Sequence, residues 1–279
     1  MWVGQQLADG LDFWGFLGSL ILGGIILGIY TGLLGYVGAK TGLSLDLLSQ
    51  RAFGEKGSYL PSAMTSFTQI GWFGVGSFVS GGTATPDVAR FAKDGKSGAI
   101  TTVVAFFIGN SLMFFFGAVS SIFVGGNDIF EVMVRLNLFY LAVLVLGLNI
   151  WTTNDNALYT AGLGLANIFH QRKKPMVLLS GIIGTVASVW LYYNFCGWLN
   201  ILNCTLPPVG MILVLAYFMN KEDFDTVRPK LKTVAWVAVA GVILGAIVAN
   251  ILHWGIASIN GMVVAAVCYC VGQAVNKRK

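Results

Sequence analysis

Charge is the scarcest property of this sequence: only 10% of its 279 residues are Asp, Glu, Lys or Arg, against about 25% in a soluble domain. So few solvated groups cannot cover a water-facing surface, which excludes a soluble enzyme, a nucleic-acid binder and a disordered tail. Histidine is rare, with 2 in the chain, and cysteine is limited to 4. Cys196, Cys204, Cys268 and Cys270 form neither paired CxxC motifs nor a secreted disulfide framework. All four are expected to be reduced and buried. A GxGxxG run, a Walker loop and paired carboxylates are missing as well, so nothing supports covalent or acid–base chemistry and the chain is not expected to be an enzyme.

What the chain has is apolar length. Apolar residues make up 56% of it, the mean hydropathy is +0.76, and they fall in blocks at roughly 13–37, 57–81, 97–124, 136–169, 175–193, 194–219, 233–252 and 253–275. Each approaches or exceeds the ~20 residues that cross a ~30 Å hydrocarbon layer. An open strand cannot satisfy its backbone in lipid, so all are expected to be helical. The fold class is therefore an all-α polytopic membrane protein, with one transmembrane domain over 1–279. The 136–169 block exceeds one span and is expected to tilt or to run into an interfacial turn. The 36 glycines suit close helix packing in lipid, where small residues let backbones approach.

The net charge of +5 reads as membrane orientation, because the basic residues sit in short loops between the blocks. Lys40, Arg51 and Lys56 precede the second block, and Arg90, Lys93 and Lys96 follow it. Further clusters are Arg172–Lys174, Lys221 with Arg228, Lys230 and Lys232, and Lys277–Lys279. From Arg90 onward they recur after every second span, which places them, and the C-terminus, in the cytoplasm. One step breaks the parity. A single block lies between Lys56 and Arg90, and one crossing would put their clusters on opposite faces. An odd number of extra crossings, or a block that dips in and returns, restores the pattern; on the first reading the chain is expected to lack an internal piece near residues 75–78. Three spans would amount to about 70–90 residues.

Polar residues inside the blocks narrow the function. Asn149, Thr152, Thr153, Asn156 and Thr160 share one helical face of the fourth block. Five hydrogen-bonding side chains cannot face lipid without several kcal/mol of cost, so they are expected to face a neighbour or a watery cavity. Two readings stay open: interhelical hydrogen bonding, or a site whose neutral hydroxyl oxygens suit a dehydrated alkali cation. Asp155 is the one acid inside these blocks; such residues are functional candidates, although it lies off the stripe. In the second block Gln69 and Trp72 are one turn apart, so an amide and a flat π-face could address one ligand. Ser77-Phe78-Val79-Ser80-Gly81-Gly82 is a poor helix centre, because its glycines permit unwinding. Unwound backbone at membrane depth survives where it lines a cavity, as in transporters. Leu206-Pro207-Pro208-Val209-Gly210 is expected to break its helix, or simply to kink it, since proline removes a donor and clashes with the preceding turn.

The run Leu148-Asn149-Ile150-Trp151-Thr152-Thr153-Asn154-Asp155-Asn156-Ala157-Leu158-Tyr159, with Thr68-Gln69-Ile70-Gly71-Trp72-Phe73-Gly74-Val75-Gly76, resembles the purine–cytosine permease-like nucleobase:cation symporters. The similarity extends to 32–41, 104–117 and 181–210. The resemblance implies a LeuT-like inverted-repeat fold of twelve helices, of which this chain would hold about eight. Block 13–37 resembles the second helix, 57–76 the third, Ser77 onward the mid-membrane break of the sixth, and the rest helices seven to twelve. Most of helix 1, helices 4–5 and the first half of helix 6 would be missing, with an internal junction near 76–77. Met1 falls where the first helix of the family unwinds, so that helix's ion-binding carbonyls would be missing too.

By the same resemblance, Trp72 and Phe78 would stack on the two faces of a nucleobase, with Gln69, Ser77 and Ser80 along its polar edge. Thr152 and Thr153 would supply hydroxyl ligands to sodium beside the Asn149 carbonyl, with Asn154 a weaker candidate. The function implied is cation-coupled import of cytosine, or of a related nucleobase or hydantoin, across a bacterial cytoplasmic membrane, with sodium as the coupling ion and no other cofactor. The competing reading is a non-transporting membrane fragment of such a permease.

Overall fold

The computed structural model describes residues 12–75, 85–125, 129–226, 231–252 and 254–276. Every regular element among them is helical. In chain order they are α1 (Phe13–Thr41), α2 (Leu45–Phe53), α3 (Tyr59–Val75), α4 (Thr85–Ala89), α5 (Gly95–Val124), α6 (Ile129–Arg135), α7 (Phe139–Phe169), α8 (Lys173–Tyr193), α9 (Phe195–Met219), α10 (Lys221–Asp225), α11 (Trp236–Ile251) and α12 (Ala257–Asn276). Each apolar block is thus a helix. Five of these helices (α1, α5, α8, α9 and α12) are long and apolar enough to cross a membrane, with α11 a shorter apolar helix. The long 136–169 block is set off from α6 by a turn and then runs unbroken for 31 residues as α7.

Local chemistry explains the helix ends. Asp12 caps α1 by accepting the Gly15 N–H at 3.0 Å, and Ser44 caps α2 by accepting that of Leu47 at 3.4 Å. The chain leaves α2 through Gly54 at φ 86°, where a Cβ would lie 2.4 Å from the Lys232 carbonyl oxygen. No other residue tolerates both the conformation and that approach.

Three packed groups organise the molecule. Helix α1 lies on α5 along Gly24, Gly28, Gly32 and Gly35, where an added Cβ would meet Phe107, Val103 or Thr102 at 2.4–3.6 Å. Helices α3, α7 and α8 pack on one another, and so do α9, α11 and α12. Helix α9 also touches α1, α2 and α3 and so joins the groups. The main core gathers Leu34, Leu48, Phe53, Val209, Ile212, Leu213, Val242 and Tyr269. A second core, of Ala157, Leu191, Trp198, Leu202 and Leu206, sits where α7, α8 and α9 meet.

Two expectations need correction, and a third feature is new. The Pro207-Pro208 pair does not break its helix: α9 continues through both residues. The Asn203 carbonyl, which Pro207 cannot bond, accepts instead from the Ser258 hydroxyl at 3.2 Å, and Pro208 fits the small-residue crossing of Gly245 and Gly261. The cysteines are not all buried. Cys204 is, but Cys268 is half-buried and Cys270 exposed, all three free thiols, because α12 turns one face away from the bundle. The side chain of Cys196 lies outside the described residues, as does His253. Helix α5, finally, contains a wide turn at Ala105–Gly109 that nothing in its composition signals.

Candidate functional site

Helices α3 and α7 run antiparallel, and their register is set by polar contacts. The Asn167 amide donates to Ser58 Oγ at 3.1 Å and to Ser62 Oγ at 2.8 Å. One turn further along α3, Ser66 Oγ donates to the Ala161 carbonyl at 3.2 Å. The helices come this close because Gly164 faces Ser66: a Cβ there would lie 2.1 Å from Ser66 Oγ. Continued along both helices, this register sets Gln69 level with Leu158, Trp72 level with Asp155 and Val75 level with Thr152. The aromatic–amide pair and the threonine pair therefore occupy neighbouring depths on adjacent helices.

Gln69 is 7% exposed. Beside it Gly71 receives Trp198, whose ring would sit 2.3 Å from an added Cβ, and this fixes the rotation of α3. Trp72 lies within the described helix but its side chain does not. Ser77, Phe78 and Ser80, with the junction at 76–77, lie outside the described residues.

The polar stripe of α7 divides. Thr160 is 7% exposed, whereas Asn149, Thr152 and Asn156 are exposed and Thr153 half-buried. Their described hydrogen bonds stay within α7. Thr152 donates to the Leu148 and Asn149 carbonyls at 3.2 and 3.0 Å, Thr153 to Asn149 Oδ1 at 3.3 Å, and the Asn156 amide to the Thr152 carbonyl at 3.3 Å. Thr160 thus faces neighbouring residues, as expected, and Thr153 does so in part. Around the stripe the first half of α7 is bare, with Tyr140 88% and Trp151 65% exposed. The Thr152 hydroxyl and the Asn149 carbonyl are 3.0 Å apart, and Asn154 Oδ1 is buried without a hydrogen-bond partner. Asp155 is exposed, off the stripe.

Sequence reasoning missed a second polar cluster, at the end of α7 that carries Asn167. Asp46 on α2 is 7% exposed and Asp87 on α4 is 1% exposed. Asp46 accepts from Ser62 Oγ; Asp87 accepts the Leu45 N–H at 2.8 Å and has the Thr160 side chain beside it. Burial pushes the Asp46 carboxyl up to about 7, reinforced by Asp87, and the Asp87 carboxyl up to about 6. Both residues sit in connecting segments, where a lone Asp reads as an ordinary turn or helix-start residue. The burial comes from tertiary packing, so no local signal marks them.

A family model described as permease for cytosine/purines, uracil, thiamine, allantoin matches residues 1–84 and 74–274. The cytosine permease of Escherichia coli strain K12 is 36% identical over 374 positions, which take in 100% of this chain and 88% of that protein. The cytosine permease of Escherichia coli O157:H7 gives the same figures. The allantoin permease of Bacillus subtilis strain 168 is 34% identical over 82 residues, 29% of this chain and 16% of that protein. With the family matched over nearly its whole length and its blocks folded as apolar helices, the chain belongs to this permease family: it is a multi-pass membrane transport protein rather than an enzyme.

Proposed function

We propose that this permease imports cytosine, coupled to the inward movement of sodium, by alternating access in a LeuT-like inverted-repeat fold. The membrane would be a bacterial cytoplasmic membrane, with the C-terminus in the cytoplasm. The observation that carries the reading is the end-to-end similarity to cytosine permeases at 36% identity. The α3–α7 register supports it by setting Gln69 and Trp72 at depths next to Thr152 and Thr153.

In this reading the Trp72 indole and the Phe78 ring stack on the two faces of cytosine, each worth about 1–3 kcal/mol. Gln69, Ser77 and Ser80 meet the edge, where an amide carrying both donor and acceptor matches a base that mixes the two. Analogues that leave those buried groups unpaired are rejected. Thr152 and Thr153 hydroxyls, with the Asn149 carbonyl and the unpaired Asn154 Oδ1, supply hard neutral oxygens to sodium. The two sites touch one helix pair, so an occupant of one biases the packing that the other needs.

One observation favours a second reading. The alignment spans 374 positions against 279 residues, so at least 95 positions have no counterpart here, and the two family matches meet at residues 74–84. An internal junction near 76–77 fits both facts and the reversed charge parity. The bare first half of α7 then marks where further helices belong, and the chain alone would be a fragment of a permease.

Uptake of radiolabelled cytosine by proteoliposomes under an inward sodium gradient separates the two. The transport reading expects accumulation that Trp72→Ala abolishes. Uptake no greater than that of protein-free vesicles contradicts it and favours the fragment.

A further inference from the structure

The cluster around Asp46 and Asp87 ties together four segments far apart in sequence. From α2 come Asp46, the Leu45 N–H and Gln50, whose amide donates to Asn167 Oδ1 at 2.6 Å. Helix α3 gives Ser62, with Ser58 in the turn just before it, and α7 gives Asn167, Thr160 and Tyr159. The fourth segment, Thr85–Ala89 with Arg90 after it, is the first described stretch after residue 75. It is seated tightly, since a Cβ on Gly38 of α1 would lie 2.7 Å from Pro86 Cα.

Charges converge on Asp87 without neutralising it. Arg90 donates to the Tyr159 hydroxyl, and Lys173 from α8 sits 3.2 Å from the centre of the Tyr159 ring. Among the described residues Arg90 forms no ion pair with Asp87. Among the described residues both ends of that missing pair are unpartnered: Asp87 Oδ2 and Arg90 Nε are buried without hydrogen bonds. The surrounding titratable groups are otherwise engaged. His170 is bonded to the Asn167 carbonyl at 2.9 Å and to Tyr59 at 3.3 Å. Arg51 turns to the carbonyls of Asp223 and Thr226, and Lys40 of α1 is exposed beside Gly95.

We propose that Asp46 and Asp87 hold a proton between them and act as a latch on the segment after the break. With the proton bound, Asp87 fastens that segment to the first turn of α2. When the proton leaves to water, the Leu45 N–H bond by itself favours the charged Asp87, but the repulsion between the two buried carboxylates and the pull of the waiting Arg90 outweigh it, and the segment is released. The raised affinity of both carboxyls for protons accords with this geometry. The inference goes beyond the transport reading and is independent of substrate and coupling ion. If that reading also holds, the latch controls the chain that carries Ser77, Phe78 and Ser80.

Hydrogen–deuterium exchange of the purified full chain in detergent, without cytosine or sodium, tests it between pH 5 and pH 8. The Leu45, Arg90 and Ala92 amides report, the last two bonded to the Pro86 and Ala89 carbonyls. After division by the intrinsic rate, their exchange rises about tenfold per pH unit until the closed latch has lost its proton, then levels off. Asp87→Asn abolishes the rise, and Arg90→Gln moves it to higher pH. A flat wild-type profile overturns the latch without any variant, as does a rise that survives Asp87→Asn. Neither result bears on whether cytosine is carried.

Discussion

The backbone N–H of Leu45 donates to Asp87 Oδ1 at 2.8 Å, fastening the first turn of α2 to the first described segment after residue 75. The bond satisfies a donor at a helix start with a carboxyl oxygen in the position that the helix dipole favours. Asp87→Ala removes that partner and strands a buried N–H, at a cost of about 1–3 kcal/mol. Thermal unfolding in detergent then shows a midpoint lower by several degrees, with Asp87→Asn, which keeps an acceptor, intermediate. A midpoint unchanged in Asp87→Ala contradicts the fastening.

The same pair sets a pH dependence. Both carboxyls rise from 3.8, to about 7 for Asp46 and about 6 for Asp87, so the folded state holds protons that the unfolded chain has released. Their contribution to stability is therefore greatest below the ordinary carboxyl pKa, falls as pH rises from about 4 to about 7, and is constant above that. Unfolding midpoints measured from pH 4 to pH 8 are expected to decline over that window. Asp46→Asn is expected to flatten its upper part.

Gly164 tests the α3–α7 contact. Its missing side chain leaves room for Ser66 Oγ, 2.1 Å from where a Cβ would stand, and for the Ser62 carbonyl at 2.9 Å. Gly164→Ala is expected to destabilise by about 1–3 kcal/mol through overpacking. Gly147→Ala, on the same helix with nothing within 4 Å, is expected to be neutral or to stabilise by up to about 1 kcal/mol. Equal effects from the two substitutions contradict the packing.

Much of the fold was legible because lipid permits few solutions: runs of apolar residues had to be helices, and glycines such as Gly28 and Gly32 had to let them approach. The α9 prolines were misread because the cost of a missing donor depends on whether the stranded carbonyl finds another partner, and Ser258 lies 55 positions away. Gln69 was recognisable as a polar residue that lipid would not accept. Asp46 and Asp87 were invisible for the opposite reason, since a carboxylate in a connecting segment is ordinary until packing buries it. The stripe of α7 was legible as a row of polar side chains, yet its exposure depends on which helices surround it, and one chain's periodicity does not contain that.

The threonine pair has its own test. Thr152→Val and Thr153→Val keep the shape of each side chain and remove a hydroxyl oxygen. Each is expected to weaken sodium binding at least tenfold in a titration followed by intrinsic tryptophan fluorescence, while Thr205→Val, whose hydroxyl bonds the Ile201 carbonyl at 2.8 Å, leaves it unchanged. Sodium affinity untouched by both stripe substitutions removes Thr152 and Thr153 from the site.

The most direct measurement of the central claim is equilibrium binding of radiolabelled cytosine to the purified chain over a range of sodium concentrations. Coupled sites are reciprocal, so the cytosine Kd is expected to fall as sodium rises, and cytosine to tighten sodium by the same factor. A cytosine affinity that is measurable but indifferent to sodium, or no binding at any sodium concentration, contradicts it.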